Sequence, residues 1–519
     1  MTRFTIVAAA CALACTGFAS HAADTPEVAA LRQQMQALVQ QVQSMQQKID
    51  SISASPQPPA SGSAASISAE TGGGRQFLER KAGDGITVFT RGGEVSIYGN
   101  LDVSVDATTK GIGGLGVGGV PPPGRNGWMP ALSTNLSYVG MRGFQQLGDW
   151  QTRFVYQLET QIDISATSGT GGSNSNTSAA VKGGLTSRNS YIGLASPDWG
   201  AVKIGKTDAP YKISTAALNP FSGMLGDYSV VMGNSGGDNR VEFGTRLDHA
   251  IWYESPNLNG FSLSALLAPG QNRATDNSNL AAGESDCAGG NIPGSGGTPQ
   301  ACNDGAYGTA YSVSVGYRQG GLYLTGAYEM HKAVNRTSDL ATFDPTDIAD
   351  ESATKIGAQF RFGTGTTVGA VFERLKRSVP AALAYQNERS RNGYWLTVSQ
   401  NLTGNDSLHF GWAHAGRTPG DPGTRNTPGG AGSDNQANMY TLAWKHQVDR
   451  QLSFYVDVAE TLNHTAAHYD LGAGGRGVTT DCHDASNPDS TGFDPNGGSP
   501  HCYAGGKLRG LSAGVKYQF

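Results

Sequence analysis

A run of about 20 consecutive apolar residues, the length a helix needs to cross a bilayer, is missing from the whole chain. Any membrane crossing must therefore use a closed β-barrel, the other architecture that satisfies every backbone polar group without water. Charge is scarce too, at 15% of residues, where about a quarter is usual. The formal net charge of −5 over 519 residues, with no basic stripe, sets nucleic acid aside as a partner. Cysteine is sparse, six residues with no CxxC pair, which argues against a zinc site. No HExxH arrangement and no nucleophile elbow between strand and helix organises the ten histidines, among them His409, His414, His464 and His468. Neither an enzyme nor a cofactor is expected.

Glycine is what the chain has in excess, 73 residues, about twice the usual share of roughly 7%. Residues 1–22 read as a secretory signal: Arg3 supplies the positive start, residues 6–14 are apolar, and Ser20-His21-Ala22 is a small-residue cleavage site. Ala12 and Leu13 make Cys15 a poor lipidation site. Within 23–53, apolar residues step by three and four through Leu31, Met35, Leu38, Val42, Met45, Ile49 and Ile52, the pattern of a short periplasmic coiled coil. An amphipathic helix lying on the chain's own barrel fits the same pattern. The segment 54–93, rich in Ser, Pro, Ala and Gly up to 74, reads as a flexible linker.

From 94 to 519 the period changes to two. Val95, Ile97, Leu101, Val103 and Val105 alternate with Ser96, Asn100, Asp102, Ser104 and Asp106, so one face is apolar and the other polar. Sixteen such segments follow one another, joined alternately by short turns and long polar tracts, which describes a membrane barrel standing in outer-membrane lipid. Trp and Tyr on or beside the segments, including Tyr98, Tyr191, Trp252, Tyr323, Trp395, Trp412 and Trp444, are candidates for the two interfacial girdles. Cys287, Cys302, Cys482 and Cys502 lie in two long polar tracts and can pair in three ways; Cys287 with Cys302 and Cys482 with Cys502 would each close one loop.

The last segment alternates Leu511, Ala513, Val515, Tyr517 and Phe519 with Ser512, Gly514, Lys516 and Gln518. With Val95-Ser96-Ile97-Tyr98-Gly99-Asn100-Leu101-Asp102, Tyr138-Val139-Gly140-Met141-Arg142-Gly143, Gln157-Leu158-Glu159-Thr160, Arg188-Asn189-Ser190-Tyr191-Ile192-Gly193-Leu194, Ile204-Gly205-Lys206 and Trp252-Tyr253-Glu254-Ser255-Pro256, it resembles the general porins of Gram-negative bacteria, β-proteobacterial type. The resemblance implies a homotrimer of 16-stranded antiparallel transmembrane β-barrels that passes small hydrophilic solutes, each barrel narrowed by an inward third loop, here between Lys206 and Arg246. It also implies that Phe519 is the signal read by the barrel-insertion machinery. Many members carry arginine where Tyr138 stands, and the simplest ones lack the coiled coil.

Strand alternation then places Tyr138 and Arg142 in the lumen if Val139 and Met141 face lipid, and Arg153 inside beside outward Phe154. Lys206 closes the strand that leads into the loop. Arg188 and Arg246 resemble family positions that contribute to the basic wall of the constriction, and with Arg142 and Arg153 they are expected to form such a wall here. The loop acids Asp208, Asp227, Asp238 and Glu242 would oppose it, with Asp227 foremost. Opposed charges across a narrow pore set up a transverse field that sorts solutes by charge and dipole. The rival classes are an outer-membrane enzyme on a barrel scaffold and a barrel-anchored periplasmic tether.

Overall fold

The computed structural model describes residues 77–78, 85–109, 128–148, 151–162, 164–165, 188–233, 243–269, 307–335, 348–378, 390–418, 436–464, 467, 469, 471 and 507–519. The expected signal segment and coiled coil, and Cys287, Cys302, Cys482, Cys502, Asp238 and Glu242, lie outside the described residues.

The alternating segments form strands β1 (Ile86–Thr90), β2 (Gly93–Thr108), β3 (Met129–Thr134), β4 (Tyr138–Gln146), β5 (Arg153–Gln161), β6 (Ser190–Ser196), β7 (Gly200–Asp208), β8 (Arg246–Glu254), β9 (Phe261–Ala268), β10 (Ala310–Gln319), β11 (Leu322–Asn335), β12 (Ile348–Arg361), β13 (Thr366–Arg377), β14 (Arg391–Asn401), β15 (Asp406–Ala415), β16 (Ala437–Gln447), β17 (Leu452–Asn463) and β18 (Lys507–Gln518). Apart from β3 and β4, consecutive strands pair antiparallel, and β18 pairs with β2 to close the ring. Because β3 and β4 both lie along β2, they are two halves of one stave, and with β1 set aside the barrel has sixteen. Closure leaves no free edge among the staves, which is the condition for lying in lipid.

The sixteen expected segments match these staves to within a few residues. One correction concerns the linker: its end is part of the sheet, since β1 pairs with β2 from Ile86↔Ile97 to Thr90↔Gly93. Residues 86–90 continue the alternation of Ile86 and Val88 with Thr87, and this apolar face prolongs that of Val95 and Ile97.

Alternation sorts the side chains between lipid and lumen. On β14, Tyr394, Leu396 and Val398 stand exposed while Arg391, Trp395 and Thr397 are buried. An Arg or Lys on the outer face near the bilayer midplane would cost about 2 to 4 kcal/mol, so this parity is enforced. Five aromatics expected in the girdles point inward instead: Tyr98, Tyr191, Trp252 and Trp395 are buried, and Tyr323 bonds the inward loop. Their neighbours Tyr253, Tyr394, Trp412, Tyr440 and Trp444 share the parity of outward residues.

Two bulges break the alternation where the inner wall becomes functional. Thr134 lies opposite Val103 and Tyr138 opposite Asn100, so one extra residue is inserted between β3 and β4, and Leu136 takes φ 50°. The extra residue flips parity and brings Tyr138 to the inner face. The second lies between Gly205 and Thr207. Gly205 has φ 140°, and a Cβ there would come within 2.3 Å of the Ser190 carbonyl oxygen, so only glycine fits.

The seam is closed at its end by Phe519. Its backbone N–H donates to Gly99 O at 3.1 Å, its carbonyl accepts from Gly99 N–H at 2.8 Å, and its ring lies over Gly99 and stacks on Tyr517. Phe519→Ala is expected to lower the yield of heat-resistant folded barrel on non-boiled gels; a yield equal to wild type would show the ring to be dispensable.

Candidate functional site

The segment between β7 and β8 turns into the barrel. Pro210 at the start of the short helix α1 (Pro210–Ser214) fixes φ where no helical N–H is needed. From there the chain runs along the inner wall. Tyr211 N–H donates to Ser312 on β10, Lys355 on β12 donates to Thr215, and Trp395 Nε1 on β14 donates to the Leu218 carbonyl. Lys445 on β16 donates to the Pro220 carbonyl, and Thr441 to that of Gly226 at 3.0 Å. Leu218, Phe221, Met224, Tyr228 and Val231 bury themselves against Trp395, Ala413 and Met439 of the wall. Gly226 has φ 66° and passes so close that a Cβ would lie 1.9 Å from Thr441 Oγ1.

Glu373 on β13 holds two separate points of this segment, Tyr211 and Gly233. Its carboxylate accepts Tyr211 Oη at 2.5 Å and Gly233 N–H at 2.8 Å. Burial, reinforced by Glu373, pushes the Tyr211 phenol well above its ordinary range, so it remains a donor. Lys355 Nζ sits 3.9 Å from the Tyr211 ring centre, a cation–π contact to the same side chain.

Asp227, expected to face the arginines, is occupied by its own loop. Its carboxylate accepts Asn219 Nδ2, Gly223 N, Ser229 N and Ser229 Oγ, all between 2.8 and 3.0 Å. An acid capping a turn in this way shapes the loop rather than opposing a distant charge. Asp208 and Arg246, set on opposite sides in the expected arrangement, pair with each other at 3.2 Å. Asp208 also binds Lys212 at 2.8 Å, and Asn189 bridges Arg246 and Asp208 through its amide. This knot ties both roots of the loop to the residue preceding β6.

The arginines divide into two places. Arg142 lies over the Tyr98 ring at 5.0 Å, Tyr98 Oη donates to Glu159 at 3.0 Å, and Glu159 accepts Arg188 Nε. Arg188 in turn covers the Tyr138 ring at 4.6 Å. The tyrosine at 138 thus supplies a face for a guanidinium. Arg153 is elsewhere, near the short-turn end, against the Phe144 ring and Gln146. Lys206 sits in the second bulge and pairs with Asp248 at 2.9 Å.

Inward acids also stand on the neighbouring staves β17 and β2. The register aligns Asp457 on β17 with Ser512 on β18 and Asp106 on β2. Asp102, two inward positions along β2 from Asp106, accepts from Tyr455 Oη at 2.8 Å and Asn135 Nδ2 at 3.3 Å. Lys516 on β18 stands opposite Asp102 in register, so both signs of charge share this part of the wall. Asp102 lies between outward Leu101 and Val103, while Glu159 and Glu373 each follow one outward apolar residue, Leu158 and Phe372, and that parity was the signal available for them. Of the histidines, His409 bonds two hydroxyls, Ser399 and Ser407, and His414 bonds Asn438; His468 lies outside the described residues.

The family model described as Gram-negative porin matches residues 59–466. An outer-membrane porin protein of Bordetella pertussis is 29% identical over 127 residues, 24% of this chain and 29% of that relative, so the alignment spans under a third of the relative's length. The anion-selective porin from Comamonas acidovorans superposes with a TM-score of 0.54 at 18% identity, over 82% of this chain and 100% of that one.

Proposed function

The chain belongs to the Gram-negative porin family, and on that premise we propose that it is an outer-membrane channel for passive diffusion of small hydrophilic solutes and ions. The observation that carries this reading is the closed barrel whose outer face is apolar, whose inner face is polar, and whose third long loop is bound along the inner wall. A barrel of this strand number encloses an aqueous lumen. The family resemblance supports a homotrimer, with Phe519 read by the insertion machinery; the periplasmic placement of residues 23–53 rests on their own apolar periodicity and not on the family.

Purified protein in a planar bilayer should give discrete conductance steps and hydrolyse neither lipid nor peptide. Absence of steps from correctly folded barrel would sink the channel reading. Selectivity should respond most to Arg142, because it is only half-buried and its contact is a tyrosine ring, whereas Arg188 is matched by Glu159. Arg142→Glu is expected to move the reversal potential toward cations. Raising salt from 0.15 M to 1 M should shrink the shift, since the Debye length falls from about 8 to about 3 Å. A reversal potential unchanged at low salt would remove Arg142 from the conduction path.

A further inference from the structure

A water-filled lumen has no use for an apolar patch on its wall, yet this barrel carries one near its short-turn end. Val155 on β5, Ala195 on β6 and Ala201 on β7 occupy inward positions in one place, with Phe144 of β4 directly opposite Val155 in register. The same parity elsewhere on β4 and β5 carries Arg142, Gln157 and Glu159. The patch is covered by the chain itself: Phe77 and Leu78, only 4% and 8% exposed, pack against Val155, Ala195 and Ala201. These two residues precede β1, whose hairpin with β2 lies at the same end of the barrel.

We propose that Phe77–Leu78 is a wedge seated inside the short-turn mouth, which fastens the N-terminal extension to the inner wall and takes up part of the cross-section there. Two apolar side chains placed among charged wall residues lose contact with water only by meeting apolar partners, and Val155, Ala195 and Ala201 are those partners. The wedge adds a second restriction, at the periplasmic end, to the one made by the inward loop. Its electrical consequence rests on the channel reading; its seating does not.

The test uses the full chain and two readouts. Val155→Cys is labelled in folded barrels by a water-soluble thiol reagent, with the chain retaining Val155 as the background for the native cysteines. Labelling is expected to be slow, and to accelerate roughly tenfold or more when Phe77→Asp and Leu78→Asp release the segment. The same double variant, without the reporter cysteine, should show higher single-channel conductance than wild type. Where the Asp pair lowers barrel yield, Phe77→Ala with Leu78→Ala provides the same comparison on protein verified as folded by its gel shift. Equal labelling with and without Phe77 and Leu78 overturns the seating. Faster labelling with unchanged conductance overturns the restriction. A wild-type protein that does not conduct fails the channel reading alone, because the labelling rates still decide whether the wedge exists.

Discussion

Glu159→Ala should destabilise the barrel by about 3 to 5 kcal/mol, the cost of stripping a buried cation of its partner. The Glu159 side chain is fully buried and receives both the Arg188 guanidinium and the Tyr98 hydroxyl. Without it, Arg188 retains the Tyr138 face, and a cation–π contact is worth only about 0.5 to 2 kcal/mol. Tyr98 loses an acceptor as well, which loosens the ring beneath Arg142. Glu159→Gln keeps an oxygen acceptor without the charge and should fall between Glu159→Ala and wild type. The decisive comparison is Glu159→Ala with Arg188→Met, which removes the cation together with its partner and should recover much of the loss. Urea unfolding followed by tryptophan fluorescence, with the gel shift of the folded barrel as a second probe, reads all three. Strict additivity of the two substitutions would show that Glu159 and Arg188 do not depend on each other.

The second large effect is expected at Glu373, where one carboxylate holds the inward loop at both Tyr211 and Gly233. Hydrogen bonds to a charged group contribute about 1.5 to 3 kcal/mol each, so Glu373→Ala removes about 3 to 6 kcal/mol of tethering through the loss of Tyr211 and Gly233. The remaining attachments run through Lys355, Trp395, Thr441 and Lys445. The loop should therefore stay inside the barrel but move more, giving higher mean conductance and greater open-channel noise. Tyr211→Phe removes one of the two bonds and should produce a smaller change in the same direction. Current traces from Glu373→Ala that match wild type in both amplitude and noise would show that the anchor does not set the opening.

Part of the site was legible because lipid imposes parity residue by residue. Arg142, placed inside from the outward character of Val139 and Met141, is inside. The same rule applied to Phe372 would have placed Glu373, and applied to Leu101 it would have placed Asp102. It could not place Tyr138 from Ser133, because the inserted residue between β3 and β4 reverses the count. Nor could it find the partner of Asp227, whose acceptors are filled by loop donors that follow no period.

What the sequence determined by itself is the barrel: period two, paired short and long connections, and a terminal amphipathic strand follow from constraints that act on each residue where it stands. What only the tertiary structure decided is which inward charges meet. Glu159 meets Arg188 across adjoining staves, Asp106 lines up with Asp457 only after β18 closes on β2, and Tyr211 reaches Glu373 across 162 positions of sequence. Such pairings depend on strand register, on two single-residue bulges and on the path of one aperiodic loop. Each of these is settled by the summed fit of the whole ring, so no local pattern carries them.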